Sequence, residues 1–60
     1  MRLTITIDTS NDVFQPETAG EVSRILSHLA REIEGESMGT GWKWILRDLN
    51  GNKVGEATYV

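Results

Sequence analysis

Residues 42–60 read WKWILRDLNGNKVGEATYV, and Asn50-Gly51 near the centre of this stretch is the strongest short-range hairpin signal a sequence offers. A two-residue turn there sets Leu49 against Asn52. Counting outward then pairs Asp48 with Lys53, Leu46 with Gly55, Trp44 with Ala57 and Trp42 with Tyr59. Large side chains meet small ones and opposite charges face each other, as cross-strand pairs prefer. A three-residue loop with Gly51 in a bulge is the alternative, and a one-residue slip of register would exchange the faces of the strands.

Upstream, residues 36–41 form a connector holding Gly39 and Gly41. Before it, Val22, Ile25, Leu26, Leu29, Ala30 and Ile33 recur at helical spacing and predict one amphipathic helix over about residues 18–34. The opposite face carries Glu21, Arg24, Ser27, His28, Arg31 and Glu32. Pro16 suits the approach to the first turn. Thr18 and Glu21 have capping-box spacing, and Gly35 is a natural stop because glycine accepts the left-handed cap conformation. Residues 9–12 are short polar side chains that bond their own backbone, which predicts a turn. Residues 2–8 alternate: Leu3, Ile5 and Ile7 face one way and Arg2, Thr4, Thr6 and Asp8 the other, as in a half-buried strand. The expected fold is therefore α+β, a β-α-β-β order with a C-terminal hairpin and one helix on a three-stranded sheet. The first strand pairs either antiparallel with the third or parallel with the second.

Sixty residues make a single small domain, residues 1–60, with no repeat and no linker. A chain of this size buries only about 60% of its unfolded surface, so its stability is marginal. No cysteine is present, which removes disulfides and thiolate metal sites and fits a reducing compartment. The alternating N-terminal residues are unlike a signal-peptide core, and no run approaches the roughly 18 apolar residues of a membrane span. The expected location is the cytoplasm, without membrane contact. Nine acidic side chains oppose six basic ones, a net charge of −3. Nucleic-acid phosphates demand Lys and Arg, so direct nucleic-acid binding is not expected, whereas a partner with a basic surface is suited.

No catalytic constellation can be assembled. His28 is the only histidine, and the adjacent Ser27 points about 100° away on a helix. An enzyme is therefore not expected. Asp8, Ser10 and Asp12 begin like a calcium loop, but Val13 stands where that loop needs glycine and Ala19 where it needs glutamate. Asp48-Leu49-Asn50-Gly51-Asn52 is oxygen-rich for reasons of turn chemistry. No cofactor is expected. Trp44 reads as core. Trp42, at the start of its strand beside Lys43, reads either as core or, if exposed, as a contact residue, since exposed tryptophan is enriched at binding hot spots. Glu32, Glu34 and Glu36 cluster where the helix dipole disfavours carboxylates, and such a placement points to a role outside the fold. The expected partner-binding set is Glu32, Glu34, Glu36, Trp42, Glu21 and Asp48.

Several stretches carry a resemblance: Ile5-Thr6-Ile7-Asp8-Thr9 with Asn11 and Phe14; Glu21-Val22, Arg24-Ile25-Leu26, Leu29-Ala30 and Ile33-Glu34; then Leu46-Arg47-Asp48, Asn50-Gly51-Asn52 and Val54-Gly55. Together they resemble very short proteins encoded by bacteriophages and related mobile elements. Small acidic phage proteins of this kind include inhibitors of host defence, anti-CRISPR proteins among them. The resemblance implies a non-enzymatic inhibitor that binds a host nucleic-acid-handling complex, such as a CRISPR surveillance complex, and blocks its access to DNA. Alternatives from the residues themselves are a homodimeric assembly protein, since an open sheet leaves edges to pair, and a nucleic-acid-binding regulator using Arg24, Arg31, Arg47 and Lys53.

Overall fold

A backbone that must pass close to another backbone needs glycine, and Gly55 is the position that joins the two halves of the sheet. A Cβ on Gly55 would overlap the carbonyl oxygen of Thr6. The computed structural model describes residues 1–60: β1 (Leu3–Ile7), a 3₁₀ turn (Asp12–Phe14), α1 (Thr18–Glu34), β2 (Trp42–Arg47) and β3 (Lys53–Tyr59). The sheet order is β1-β3-β2 and both pairings are antiparallel. The first strand thus pairs with the third, Leu3 opposite Tyr59, Ile5 opposite Ala57 and Ile7 opposite Gly55. The α+β architecture expected of the sequence is the one observed.

Trp42, Trp44 and Leu46 do lie opposite Tyr59, Ala57 and Gly55. The turn differs. A type I′ turn needs positive φ at Asn50 as well as Gly51, and only Gly51 has it (φ 86°), with no positive-φ non-glycine residue anywhere. The loop is instead three residues, Leu49–Gly51, closed by Asp48 N–H to Asn52 O at 2.9 Å and Gly51 N–H to Asp48 O at 3.0 Å. Asp48 therefore does not face Lys53; Lys53 lies opposite Arg47, and Val54 is an extra residue between that pair and Leu46–Gly55. This bulge cancels the one-residue slip the longer loop introduces, which keeps the predicted faces.

Opposed residues share a face, so Leu3, Ile5, Ile7, Tyr59, Ala57, Gly55, Trp42, Trp44 and Leu46 all lie on the helix side. The core there is Phe14, Ile25, Leu29, Leu46, Val54 and Ala57, flanked by half-buried Ile7, Val22, Ile33, Trp42 and Trp44. Phe14, delivered by the 3₁₀ turn, is fully buried. The Asn11 side chain starts that turn by accepting from Val13 N–H at 3.0 Å. The Gln15–Pro16 bond that follows is cis. The helix spans the predicted residues but its caps differ. Glu17, not Thr18, is the N-cap and accepts from Gly20 N–H. Thr18 is already helical and its hydroxyl donates to Phe14 O at 2.8 Å. Gly35 is not left-handed (φ −92°); the last turn tightens instead, with Gly35 N–H on Glu32 O and Glu36 N–H on Ile33 O.

A helix is about 10 Å wide and strands lie about 5 Å apart, so one helix covers roughly two strands. Here α1 packs on the β2 side. The edge strand β1 is left over: Leu3 and Ile5 are 40% and 41% exposed although they sit on the helix side. The molecule is 36 Å long and 18 by 17 Å across.

Candidate functional site

At the hairpin-tip end, carboxylates meet main-chain donors. Glu21 leaves the first turn of α1 with Oε1 and Oε2 on the Arg24 guanidinium at 2.8 and 2.9 Å, and Oε2 also accepts Leu49 N–H at 2.9 Å. Arg24 donates onward to Arg47 O at 3.2 Å. Asp48 Oδ1 accepts Asn50 and Asn52 N–H, both at 2.9 Å. Its Oδ2 accepts the side-chain amides of Asn11 and Asn52 at 2.8 and 3.1 Å. Helix, 3₁₀ turn and hairpin are thereby tied at one point, and no buried side-chain nitrogen or oxygen lacks a partner. The forked pair with Arg24 lowers the Glu21 carboxyl below its ordinary value against the opposing effect of burial, and raises the Arg24 guanidinium. Burial alone would raise Asp48; the donors from Asn52 and Asn50 overcome it and hold the group below its usual range.

This geometry corrects part of the expected binding set. Glu21 and Asp48 retain only 8% and 4% exposure, and their oxygens are engaged within the fold. They are not surface carboxylates, and their chemistry is that of a structural lock. The cause is tertiary: the donor that draws Glu21 inward, Leu49 N–H, comes from another element.

The other four expected residues, Glu32, Glu34, Glu36 and Trp42, belong to the finish of α1, the connector after it and the start of β2. Tip contacts from Glu21 and Arg24 fix the start of α1 beside the hairpin loop, so its finish lies toward the start of β2. Glu34 and Glu36 are exposed and have no cation within 4.0 Å. Glu32 is half-buried, its Oε1 lying 3.4 Å from His28 Nε2. Trp42 is half-buried against the core with Trp44 beside it in the strand. Three of the chain's cations pair elsewhere, Arg24 with Glu21 and Lys43 and Lys53 with Glu56, while Arg31 lies in the last turn of α1 and forms no ion pair. The finish of α1 thus carries Glu32, Glu34 and Glu36 against one arginine, Arg31, a net negative balance.

Two other sequence features resolve as local structure. Asp8 Oδ1 accepts the Ser10 N–H at 2.9 Å and the Ser10 hydroxyl at 2.7 Å, which lowers the exposed Asp8 carboxyl. No three His, Asp or Glu side chains converge as a metal site. A shallow groove of about 290 Å³ between α1 and β2 is lined by Arg24, His28, Trp44, Ile45 and Arg47 among others. No helix is long and apolar enough to cross a membrane. The reading of the sequence missed Asn11 and Arg24 as members of the lock, and missed the exposed Leu3 and Ile5. A signal for the latter was available in one helix too narrow for three strands.

Comparison with known proteins returns no match: no family model fits the chain, and no curated protein and no solved structure matches it.

Proposed function

We propose that this chain is a non-enzymatic binding protein that occupies a basic surface of a partner protein, an inhibitor of the phage anti-defence kind acting on a host nucleic-acid-handling complex. The observation that carries this reading is the net negative charge at the finish of α1, where Glu32, Glu34 and Glu36 outnumber Arg31. Glu34 and Glu36 stand exposed where the helix's own carbonyls already make the potential negative, and no cation lies within 4.0 Å of either. Carboxylates without a close counter-charge steer the approach of a cationic partner, and their attraction offsets part of the desolvation that contact requires. The resemblance to short phage proteins names the class of partner.

The test is a pull-down of the tagged chain from lysate of a bacterium that carries CRISPR and other defence systems, with and without Glu34→Lys and Glu36→Lys. Recovery of a nucleic-acid-handling complex by the native chain, and its loss on charge reversal in a folded variant, is the expected result. Equal recovery by native and reversed chains overturns the acidic surface, and recovery of no such complex overturns the partner class. Trp42→Ala serves as the apolar arm and is expected to cost on the order of 2 kcal/mol of affinity.

A further inference from the structure

The two edges of the sheet are treated differently. β2 carries Lys43 and Arg47, and its outward Arg47 carbonyl is covered by Arg24 at 3.2 Å. Charge and cover are the usual means of keeping an edge from pairing with another chain. β1 has neither. Its residues Leu3–Ile7 contain no charge, proline or glycine. Arg2 and Val60 exchange both main-chain hydrogen bonds, at 2.6 and 3.1 Å, and Asp8 N–H reaches Val54 O at 2.8 Å. By antiparallel alternation Thr4 and Thr6 also face β3, so the N–H and C=O groups of Leu3, Ile5 and Ile7 point out of the sheet. The same three residues carry the apolar side chains that α1 leaves partly uncovered.

We infer that this edge is occupied by β1 of a second copy of the chain, running antiparallel about a two-fold axis at Ile5, to give a continuous six-stranded sheet. Charge selects the occupant and the register. Arg2 and Asp8 flank the apolar run, both exposed, and Arg2 has no ion pair within its own chain. Centring on Ile5 makes Leu3–Ile7 and Ile5–Ile5 the hydrogen-bonded pairs, which uses only outward-facing main-chain groups. It also sets each Arg2 opposite the other copy's Asp8 and each Thr4 opposite Thr6, both favourable cross-strand pairs. A parallel pairing would set like charges side by side. On the helix side, Leu3, Ile5 and Ile7 of the two copies close into one apolar strip between the two helices. The contact is isologous, so it closes at two copies and leaves the charged β2 edges outermost. The acidic finishes of the two α1 helices lie away from the axis, so this contact is separate from the partner surface proposed above.

The mass of the full chain in solution, by sedimentation equilibrium, reads the inference directly. The expected mass is twice the 6.7 kDa of one chain. Arg2→Asp, which sets two carboxylates against each other at both ends of the contact, is expected to raise the dissociation constant about tenfold. Adding Asp8→Arg to it swaps the signs and is expected to restore the native constant to within about threefold. In the native dimer the amides of Leu3, Ile5 and Ile7 exchange as slowly as those of Thr4 and Thr6; in a monomer only Thr4 and Thr6 are protected. A mass of one chain at concentrations on the order of 1 mM overturns the inference and leaves the edge to a strand of another protein. A dimer indifferent to Arg2→Asp, or one in which Leu3, Ile5 and Ile7 exchange freely, overturns it by placing the contact elsewhere.

Discussion

At the hairpin-tip end of the molecule, Glu21 and Asp48 accept hydrogen bonds from an arginine, two asparagine side chains and three backbone amides. At the other end, Glu34 and Glu36 accept none and have no cation within 4.0 Å. The residue types are the same. What differs is whether the chain brings donors to them. Where the hairpin loop, the 3₁₀ turn and the first turn of α1 converge, unsatisfied amides need acceptors, and carboxylates meet that need while tying three elements together. Where α1 finishes, the amides of Ser37, Met38 and Thr40 have no acceptor in the chain, yet Glu34 and Glu36 accept from none of them and stay open to solvent or to a partner. In a small domain with a small core, one end is held by polar contacts and the other is left open.

The most damaging way to break the locked half is Gly55→Ala. Its Cβ would meet the backbone at Thr6 rather than a side chain that can turn aside, so β1 and β3 must separate. Loss of the cooperative thermal transition in circular dichroism is expected. Next comes Phe14→Ala, which empties the fully buried centre of the core and is expected to cost about 3–5 kcal/mol in a denaturant titration.

Acid sharpens the contrast between the ends. Glu21 and Asp48 titrate below their ordinary values of 4.5 and 3.8 in the folded chain. Groups with lowered folded pKa contribute stability that is present above the unfolded pKa and is lost as pH falls through the folded one. The melting temperature is expected to be level above about pH 5 and to fall below about pH 4. Glu21→Gln and Asp48→Asn should lower it at neutral pH and flatten the acid limb. The smallest effect belongs to the open end. Glu34→Lys and Glu36→Lys are expected to change stability by less than about 0.5 kcal/mol, leaning toward a gain because cations suit a helix C-terminus. A loss of folding there would erase the distinction between the two ends.

Much of the fold was legible because it rests on period and pairing. The helix stripe from Val22 to Ile33 and the size matching of Trp44 with Ala57 and Leu46 with Gly55 each point one way. The hairpin loop was legible only as one of two alternatives: Asp48 supplies side-chain acceptors to the Asn50 and Asn52 amides across a three-residue loop, and the bulge at Val54 restores the register. The caps were not, because Thr18 and Glu21 have capping-box spacing, but Glu21 is drawn to a distant amide at Leu49 and Glu17 caps the helix instead. Of the surface, Glu34 and Glu36 were legible from their place past the last helical donors. Glu21 and Asp48 were not, since burial of a carboxylate is set by donors from other elements. The bare edge at Leu3 and Ile5 depended on strand order, which alternation alone leaves undecided.

Native-state hydrogen exchange, read amide by amide, tests the contrast most directly. The Leu49 amide sits in a loop whose side chain is 70% exposed, yet it donates to Glu21, and the Asn52 amide donates to Asp48. Both are predicted to exchange as slowly as the amides of the central strand β3, while Ser37, Met38 and Thr40, whose amides have no acceptor in the chain, exchange rapidly. Leu49 and Asn52 exchanging as fast as Ser37 and Met38 would contradict the lock and the two-ended account built on it.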